Sequence, residues 1–369
     1  MLNETVRKAA ALLGASIGEV GIGVPQFGDA RYEPVRFDAS NFRDIAVSRP
    51  SCTLAFVDGG NQEILHAPDF SVQLVRVGST LFRAGERVSE RKVPGKVEFI
   101  CIAQAVSRDC ELMYEATLLP FSNSFLPLMP EPSTLTLNSR DEQLSGGRFR
   151  TDISVVGAAA RRFSEWLMLS AIMQDELAPG DIAVRDGTLQ SAVTNESALA
   201  GEACDTAARK GAILTALAKT SRLLTSTGMS LLAAVGRLAR GCGQSEKSWY
   251  YYPIVKNTHP EHRAEIFACR LHPTARYIFR FEILRDQAAV MDHGELDRVF
   301  SELAANSKDM AFPGYPYGLV DADALSRVKN SEREMLSALF ATALAERGEW
   351  ETVQRHLGAT DAHDILDEL

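Results

Sequence analysis

The sequence predicts an α/β protein with an N-terminal helical arm and an antiparallel β-meander. Two apolar runs stop at Asp-Gly, Leu54-Ala55-Phe56-Val57-Asp58-Gly59-Gly60 and Ile182-Ala183-Val184-Arg185-Asp186-Gly187-Thr188. Each has the pattern of a buried strand that delivers a carboxylate to a sheet edge, with Gly letting backbone or ligand approach. Residues 63–118 carry strand-like patterning broken by Gly, Asp and Ser, and from residue 155 onward helical and strand patterns alternate.

Taken in order, Val6, Ala9, Ala10 and Leu13 have helical spacing over residues 1–14, and a polar connector rich in Asp and Arg leads to the first Asp-Gly strand at 52–58. The meander comprises Phe70–Val77, Thr80–Arg87, Val97–Ala103 and Glu111–Leu118. Pro120–Arg148, rich in Pro, Ser and Asn and without a period, is the expected long loop or insertion. A long helix over Val155–Leu177 runs through Ala178-Pro179-Gly180 into the second Asp-Gly strand. Helix Glu196–Lys210, strand Ala212–Ala218 and helix Ser230–Ala239 continue the alternation. Strands near 249–255, 264–271 and 276–283 follow, and the chain is mainly helical from Ala288.

At 369 residues and 46% hydrophobic content, the chain can bury one large core or two ordinary ones. Apolar stretches such as Leu231–Val235 are broken well short of the roughly 20 residues a membrane span needs. The opening Met1–Lys8 lacks a basic-then-apolar leader layout, so a cytoplasmic protein is expected. The six cysteines show no close pair at zinc-ligand spacing and are expected to be reduced core residues. A net charge of −9 argues against a surface broadly coated for nucleic acid but allows a local basic groove.

Two strand-end carboxylates suggest a divalent-metal site, and a third acid is available. Glu165 interrupts an apolar helical face in Arg161-Arg162-Phe163-Ser164-Glu165-Trp166-Leu167. A carboxylate there is costly unless it is metal-bound or paired with Arg161 or Arg162, and the pattern leaves both open. Glu111 and Glu115 are weaker candidates, since alternation can place both on a solvent face.

With these residues in hand, the chain resembles the NurA nucleases, DNA-end-processing enzymes with an RNase H-like core. The resemblance is carried by Phe56–Gly60, by Glu165 on its helix, by Ile182–Leu189, by Ala218-Lys219-Thr220-Ser221-Arg222, and by Gly314-Tyr315-Pro316-Tyr317-Gly318-Leu319-Val320-Asp321-Ala322-Asp323. It implies an RNase H-like mixed β-sheet flanked by helices, in a single domain: a helical arm over 1–50, a core over 51–345 with the insertion at about 120–148, and a helical tail over 346–369. It implies that Asp58, Glu165 and Asp186 hold manganese or magnesium, and it gives Tyr315 and Asp323 roles near the metals. Many members carry His where this chain has Asp323, and Asp is also a hard-metal ligand. The resemblance further implies a homodimer enclosing a DNA channel and working with HerA, a hexameric DNA-translocating ATPase. The implied activity is 5′-to-3′ exonuclease on DNA ends, with single-strand endonuclease action in some members, in end resection or defence against foreign DNA.

The residue types suit phosphodiester hydrolysis, which two metals about 3.5–4 Å apart can promote by activating water and stabilising charge on the phosphate. Lys219, at the end of a strand, and Arg222 suit phosphate oxygens, or are surface residues heading a turn. Tyr315, in a loop rich in Pro and Gly, suits contact with a phosphate or stacking on a base, or ordinary loop packing. Val184-Arg185-Asp186-Gly187-Thr188 lacks the first Asp that a haloacid-dehalogenase-like phosphatase uses as nucleophile. Gly241–Ser248 nearly matches a Walker A loop, but Glu246 precedes Lys247 and the segment follows a helix, so no ATP site is expected. His259 and His262 lie in a Pro-containing loop without obvious partner ligands for zinc. The rival class is a non-catalytic scaffold that docks on the ATPase and guides DNA. An RNA-directed enzyme of the same fold is a third alternative, since both backbones offer the same phosphate.

Overall fold

A computed structural model describes residues 2–19, 21–141, 144 and 150–357. The chain forms two compact units, one of Arg49–Ala216 with the segment from Pro316 on, the other of the N-terminal residues to Ser48 with Leu217–Tyr315. Part of the expected insertion (142, 143 and 145–148), residue 149 and the end of the expected tail (358–369) lie outside the described residues.

The first unit is built on strands β1 (Thr53–Ala67), β2 (Phe70–Arg83), β3 (Lys96–Arg108), β4 (Glu111–Pro120), β5 (Ile182–Asp186) and β6 (Ile213–Ala218). They are ordered β6-β5-β1-β2-β3-β4, with β1 to β4 a meander of antiparallel neighbours and β5 parallel to β1. Helix α1 (Val155–Asp175) connects the meander to β5, α2 (Glu196–Lys210) connects β5 to β6, and α3 (Tyr317–Ser326) and α4 (Asn330–Glu346) return late in the chain. This is the mixed β-sheet flanked by helices expected above. The core is dominated by side chains excluded from water, among them Phe56, Val75, Phe99, Phe163, Trp166 and Val184.

Two strand ends expected from the sequence are not ends. Asp58 lies inside β1, 8% exposed, and the strand runs on through Gly59-Gly60 to Ala67. Likewise Phe70–Val77 and Thr80–Arg87 merge across Gly78-Ser79 into one strand, with only Glu86–Arg87 separate. In both places glycine marks a close approach by a helix rather than a turn. A Cβ at Gly60 would lie 2.5 Å from Ser326 O, and one at Gly78 would lie 2.8 Å from Ala322 O, both in α3. The insertion also holds more order than expected: 3₁₀ turns at Asn123–Leu128 and Pro132–Leu135 precede Leu137–Asn138, which pairs with β4.

The second unit holds an antiparallel sheet ordered Phe42–Asp44, Trp249–Tyr251, Ala264–Arg270 and Phe279–Leu284. Its core includes Phe42, Leu231, Val235, Trp249, Tyr251 and Ile266. The strand expected over 249–255 stops at Tyr251, because Pro253 supplies no backbone N–H to a ladder, and Val255–Asn257 pairs instead with Tyr32–Pro34 in a separate two-stranded sheet. The N-terminal helix spans Leu2–Glu19. Cys101, Cys204 and Cys269 are buried as expected, whereas Cys110 and Cys242 are exposed. Among the described residues no helix is long and apolar enough to cross a membrane.

Gly78→Ala forces a methyl against the Ala322 carbonyl and should cost about 1–3 kcal/mol in urea unfolding. Gly201→Ala, inside α2 with nothing within 4 Å of the new atom, should be neutral or stabilise by up to about 1 kcal/mol.

Candidate metal centre

The parallel pairing of β5 with β1 builds the site. Ile182, Ala183, Val184 and Arg185 stand opposite Leu54, Ala55, Phe56 and Val57, which sets Asp186 level with Asp58. Asp181 pins the start of this pairing: one carboxylate oxygen accepts from Thr53 N at 2.8 Å, the other from Ala178 N at 2.9 Å. By strand alternation, Asp58 and Asp186 share the face of Phe56 and Val184. Helix α3 covers that face, with Gly318 directly against the Phe56 ring. Beyond Asp186 the β5 strand ends while β1 continues to Ala67, leaving a notch beside Gly59 at the carboxyl end of the parallel pair. Ligand sites in open α/β sheets form at such strand ends.

Glu165 approaches from α1 on the opposite face of the pair, the face of Gly59 and Arg185. A Cβ at Gly59 would lie 2.5 Å from Glu165 Oε1, so glycine is what admits the carboxylate against β1, across the strand from the Asp58 side chain. Gly59 N also donates to Asp58 Oδ1 at 2.8 Å. Glu165 is 1% exposed and bound by two guanidiniums. Arg161 donates to Oε1, while Arg185 donates to Oε2 through Nε at 3.1 Å and Nη2 at 2.6 Å. Burial pushes the Glu165 carboxyl up, but the charges of Arg161, Arg185 and Arg162 outweigh it and hold the group below the usual glutamate range. Behind this pair, Arg162 and Trp166 Nε1 bind the fully buried Glu196, at 2.7 and 2.8 Å to Oε1. Sequence patterning left open whether Glu165 binds a metal or pairs with Arg161 or Arg162; it pairs with Arg161, and with Arg185, which the sequence does not single out.

Asp323 is half-buried on α3, one turn before Arg327, with which it forms an ion pair. Its helix lies against Gly60 and Gly78, and Gly78 is the cross-strand partner of Asp58. Arg76 anchors the end of this helix, donating to Arg327 O at 2.8 Å and to Glu98 Oε1 at 2.6 Å, and pairing with Glu332 of α4.

Lys219, Arg222 and Tyr315 belong to the second unit. Lys219 Nζ lies 5.7 Å from the Tyr315 ring centroid, a cation–π arrangement. Tyr315 is 1% exposed, stacked on Phe312 at 5.0 Å and tilted against Phe279 at 5.3 Å. Lys219 and Arg222 are exposed. The two loop histidines have protein partners: His262 lies 2.9 Å from the Tyr32 hydroxyl and 3.1 Å from Glu282, and His259 accepts from Glu261 N. On β4, Glu115 pairs with Arg108 and Glu111 accepts from Asn138.

Among the described residues the group of three close enough to share one metal is Glu63, His66 and Asp152, whereas the expected trio Asp58, Glu165 and Asp186 is not brought together this closely. Glu63 Oε1 lies 2.9 Å from His66 Nδ1, and Asp152 Oδ2 lies 3.7 Å from Nε2. A register shift between Glu63 and Leu65 brings Glu63 and His66 together, a bulge that alternation alone does not reveal. Glu63 and Asp152 also line a cavity of about 770 Å³ with Asn61, Gln73 and Ser154.

No family model matches the chain, and no curated protein matches it. Among solved structures, it is similar to the crystal structure of the NurA nuclease from Sulfolobus solfataricus, with a TM-score of 0.51 and 15% identity over 84% of this chain and 90% of that one. A second crystal structure, of NurA, matches at a TM-score of 0.44 and 8% identity over 80% of this chain and 90% of that one. The class defined is the mixed α/β fold with helices flanking a large sheet. In particular, the first match shows that this chain has the fold of a NurA nuclease.

Glu165→Gln takes its main countercharge from the buried Arg185 guanidinium and should cost about 3 kcal/mol at neutral pH. Because the Glu165 carboxyl is held low in the folded protein, its stabilisation is complete above the unfolded glutamate value of about 4.3 and is lost as pH falls through the lower folded value. Denaturant titrations from pH 7 to 3 should therefore show a steeper loss for wild type than for Glu165→Gln.

Proposed function

We propose that this chain is a divalent-metal-dependent DNA nuclease. The observation that carries the proposal is the placement of Asp58 and Asp186 at one level and on one face of adjacent parallel strands, with Glu165 against Gly59 on the other face. Both aspartates offer oxygen donors, the kind a hard cation such as Mn²⁺ or Mg²⁺ takes. The donor set fits the metal. Asp58 and Asp186 would hold it, with Asp323 a third candidate on the helix that covers the same face, while Glu165 lies on the opposite face, paired with Arg161 and Arg185. When bound, the metal supplies water activation and charge stabilisation at the phosphate.

In this proposal the chain's own residues divide the remaining work. Asp58 and Asp186, fixed by the β1–β5 register, orient the donor oxygens. Arg185 sets the direction of Glu165. On the second unit, Lys219 and Arg222 neutralise phosphate oxygens of DNA, and Tyr315 supports Lys219 through its ring. The proposed reaction is 5′-to-3′ exonucleolysis on DNA ends, with single-strand endonuclease action, in end resection or defence. The proposed assembly is a homodimer acting with a HerA-type hexameric ATPase. Since the net charge is −9, DNA binding relies on locally clustered Lys and Arg and should weaken as salt rises.

A catalytically inactive scaffold is the second reading, favoured by the pairing of Glu165 with two arginines. End-labelled linear DNA incubated with Mn²⁺, Mg²⁺ or EDTA separates the two. A nuclease cleaves only with metal, and Asp58→Ala and Asp186→Asn, each shown to be folded, lose about a hundredfold or more of the rate. Absence of cleavage by folded wild type, with a HerA-type ATPase present, establishes the scaffold instead.

A further inference from the structure

By strand alternation Glu63 shares the face of Gly59 and Asn61, opposite that of Asp58. In a regular strand His66, three residues on, would take the other face. The bulge between Glu63 and Leu65 turns it back beside Glu63, and Asp152 joins them from the segment leading into α1. The imidazole stands between two carboxylates, with Nδ1 2.9 Å from Glu63 Oε1 and Nε2 3.7 Å from Asp152 Oδ2. Donor atoms of all three residues lie within 4.8 Å of one another, a spread that small side-chain rotations close to the roughly 3–4 Å between ligands of one ion. Unlike Glu165, neither carboxylate is paired with a lysine or arginine among the described residues.

The wall behind the cluster is buried and polar. Ser71 and Gln73 are 0% and 1% exposed. Ser71 Oγ donates to Glu63 Oε1 at 2.8 Å, and Gln73 Nε2 donates to Ser71 Oγ at 3.0 Å and to Ser154 O at 2.8 Å. Hydrogen bonds of this kind fix the direction of metal-ligating carboxylates. A buried hydroxyl in the same cavity lacks its partner. Thr151 is 6% exposed and lines the cavity with Glu63 and Asp152. Its N–H donates to Ser139 O and its carbonyl accepts from the Tyr114 hydroxyl, but its own hydroxyl has no hydrogen-bond partner among the described residues. A buried hydroxyl is normally bonded, and a water carried by a metal in this cavity gives it that bond.

We propose that Glu63, His66 and Asp152 form a second divalent-cation site, on the other face of the sheet from Asp58, which clamps the bulge of β1 to the segment leading into α1. The imidazole selects a first-row transition cation such as Zn²⁺ over Mg²⁺. Three protein ligands leave the remaining coordination positions to water on the cavity side. The site is independent of the centre at Asp58 and Asp186.

The test is calorimetric titration of the folded, EDTA-stripped chain with Zn²⁺, together with thermal unfolding, on wild type, His66→Gln, Asp152→Asn and Asp58→Asn. Wild type should contain a Zn²⁺ site that His66→Gln and Asp152→Asn each weaken about tenfold or more and that Asp58→Asn retains. Zn²⁺ should raise the Tm of wild type and of Asp58→Asn but not that of His66→Gln, and Mg²⁺ should not reproduce the rise. Equal Zn²⁺ binding by wild type and His66→Gln means an adventitious ion only and overturns the inference, as does no binding at all. Loss of the site in Asp58→Asn also overturns it, by placing the ion at the other centre, and leaves the proposed function standing. If His66→Gln does not fold, Asp152→Asn carries the test, because the Asp152 side chain is 54% exposed.

Discussion

The parallel pairing of Ile182–Arg185 with Leu54–Val57 is the constraint on which the candidate site depends. A slip by one residue would turn Asp186 to the opposite face and break its alignment with Asp58. Asp181 guards against the slip by bonding backbone N–H groups of Thr53 and Ala178, tying the start of one strand to the start of the other. Buried apolar side chains at Phe56, Val57, Ala183 and Val184 then hold the pair in the core. Both faces of the pair follow from this alignment: where β5 ends, which part of β1 is left open, and which residue lies beside Glu165.

The second constraint is electrostatic. Placing Glu165 at 1% exposure commits the fold to supplying positive charge around it. The chain does so in layers: Arg185 and Arg161 on Glu165, then Arg162 on Glu196, with Trp166 bonded to Glu196 and stacked under Arg185. Such a network gives little net stability relative to apolar packing but fixes orientation. Here it fixes Glu165 against β1 on the face of Gly59 and Arg185.

Much of the fold was legible from periodicity. Helices Val155–Asp175 and Glu196–Lys210, strand Ile182–Asp186 and the meander fall close to where apolar spacing puts them. Gly59-Gly60 and Gly78-Ser79 misled, because sequence alone does not distinguish a glycine that turns the chain from one that lets a helix touch a strand. The partner approaching Gly60 and Gly78 is α3, more than two hundred residues away in the chain, and no local pattern reports it. At the site, Asp58, Glu165 and Asp186 were visible as acids in apolar surroundings. Arg185 was hidden because an arginine within a strand reads as solvent-facing until a buried acid is found opposite it. The Glu63, His66 and Asp152 group was hidden by the bulge and by the separation of Asp152 from the strand.

The central claim is that the notch at the end of β5 is a metal centre. The most direct measurement is a crystal structure of the protein soaked in Mn²⁺, with data collected at the manganese absorption edge. The account predicts an anomalous peak within coordination distance of the Asp58 and Asp186 carboxylates. Absence of a peak there, or a peak confined to Glu63, His66 and Asp152, would contradict it.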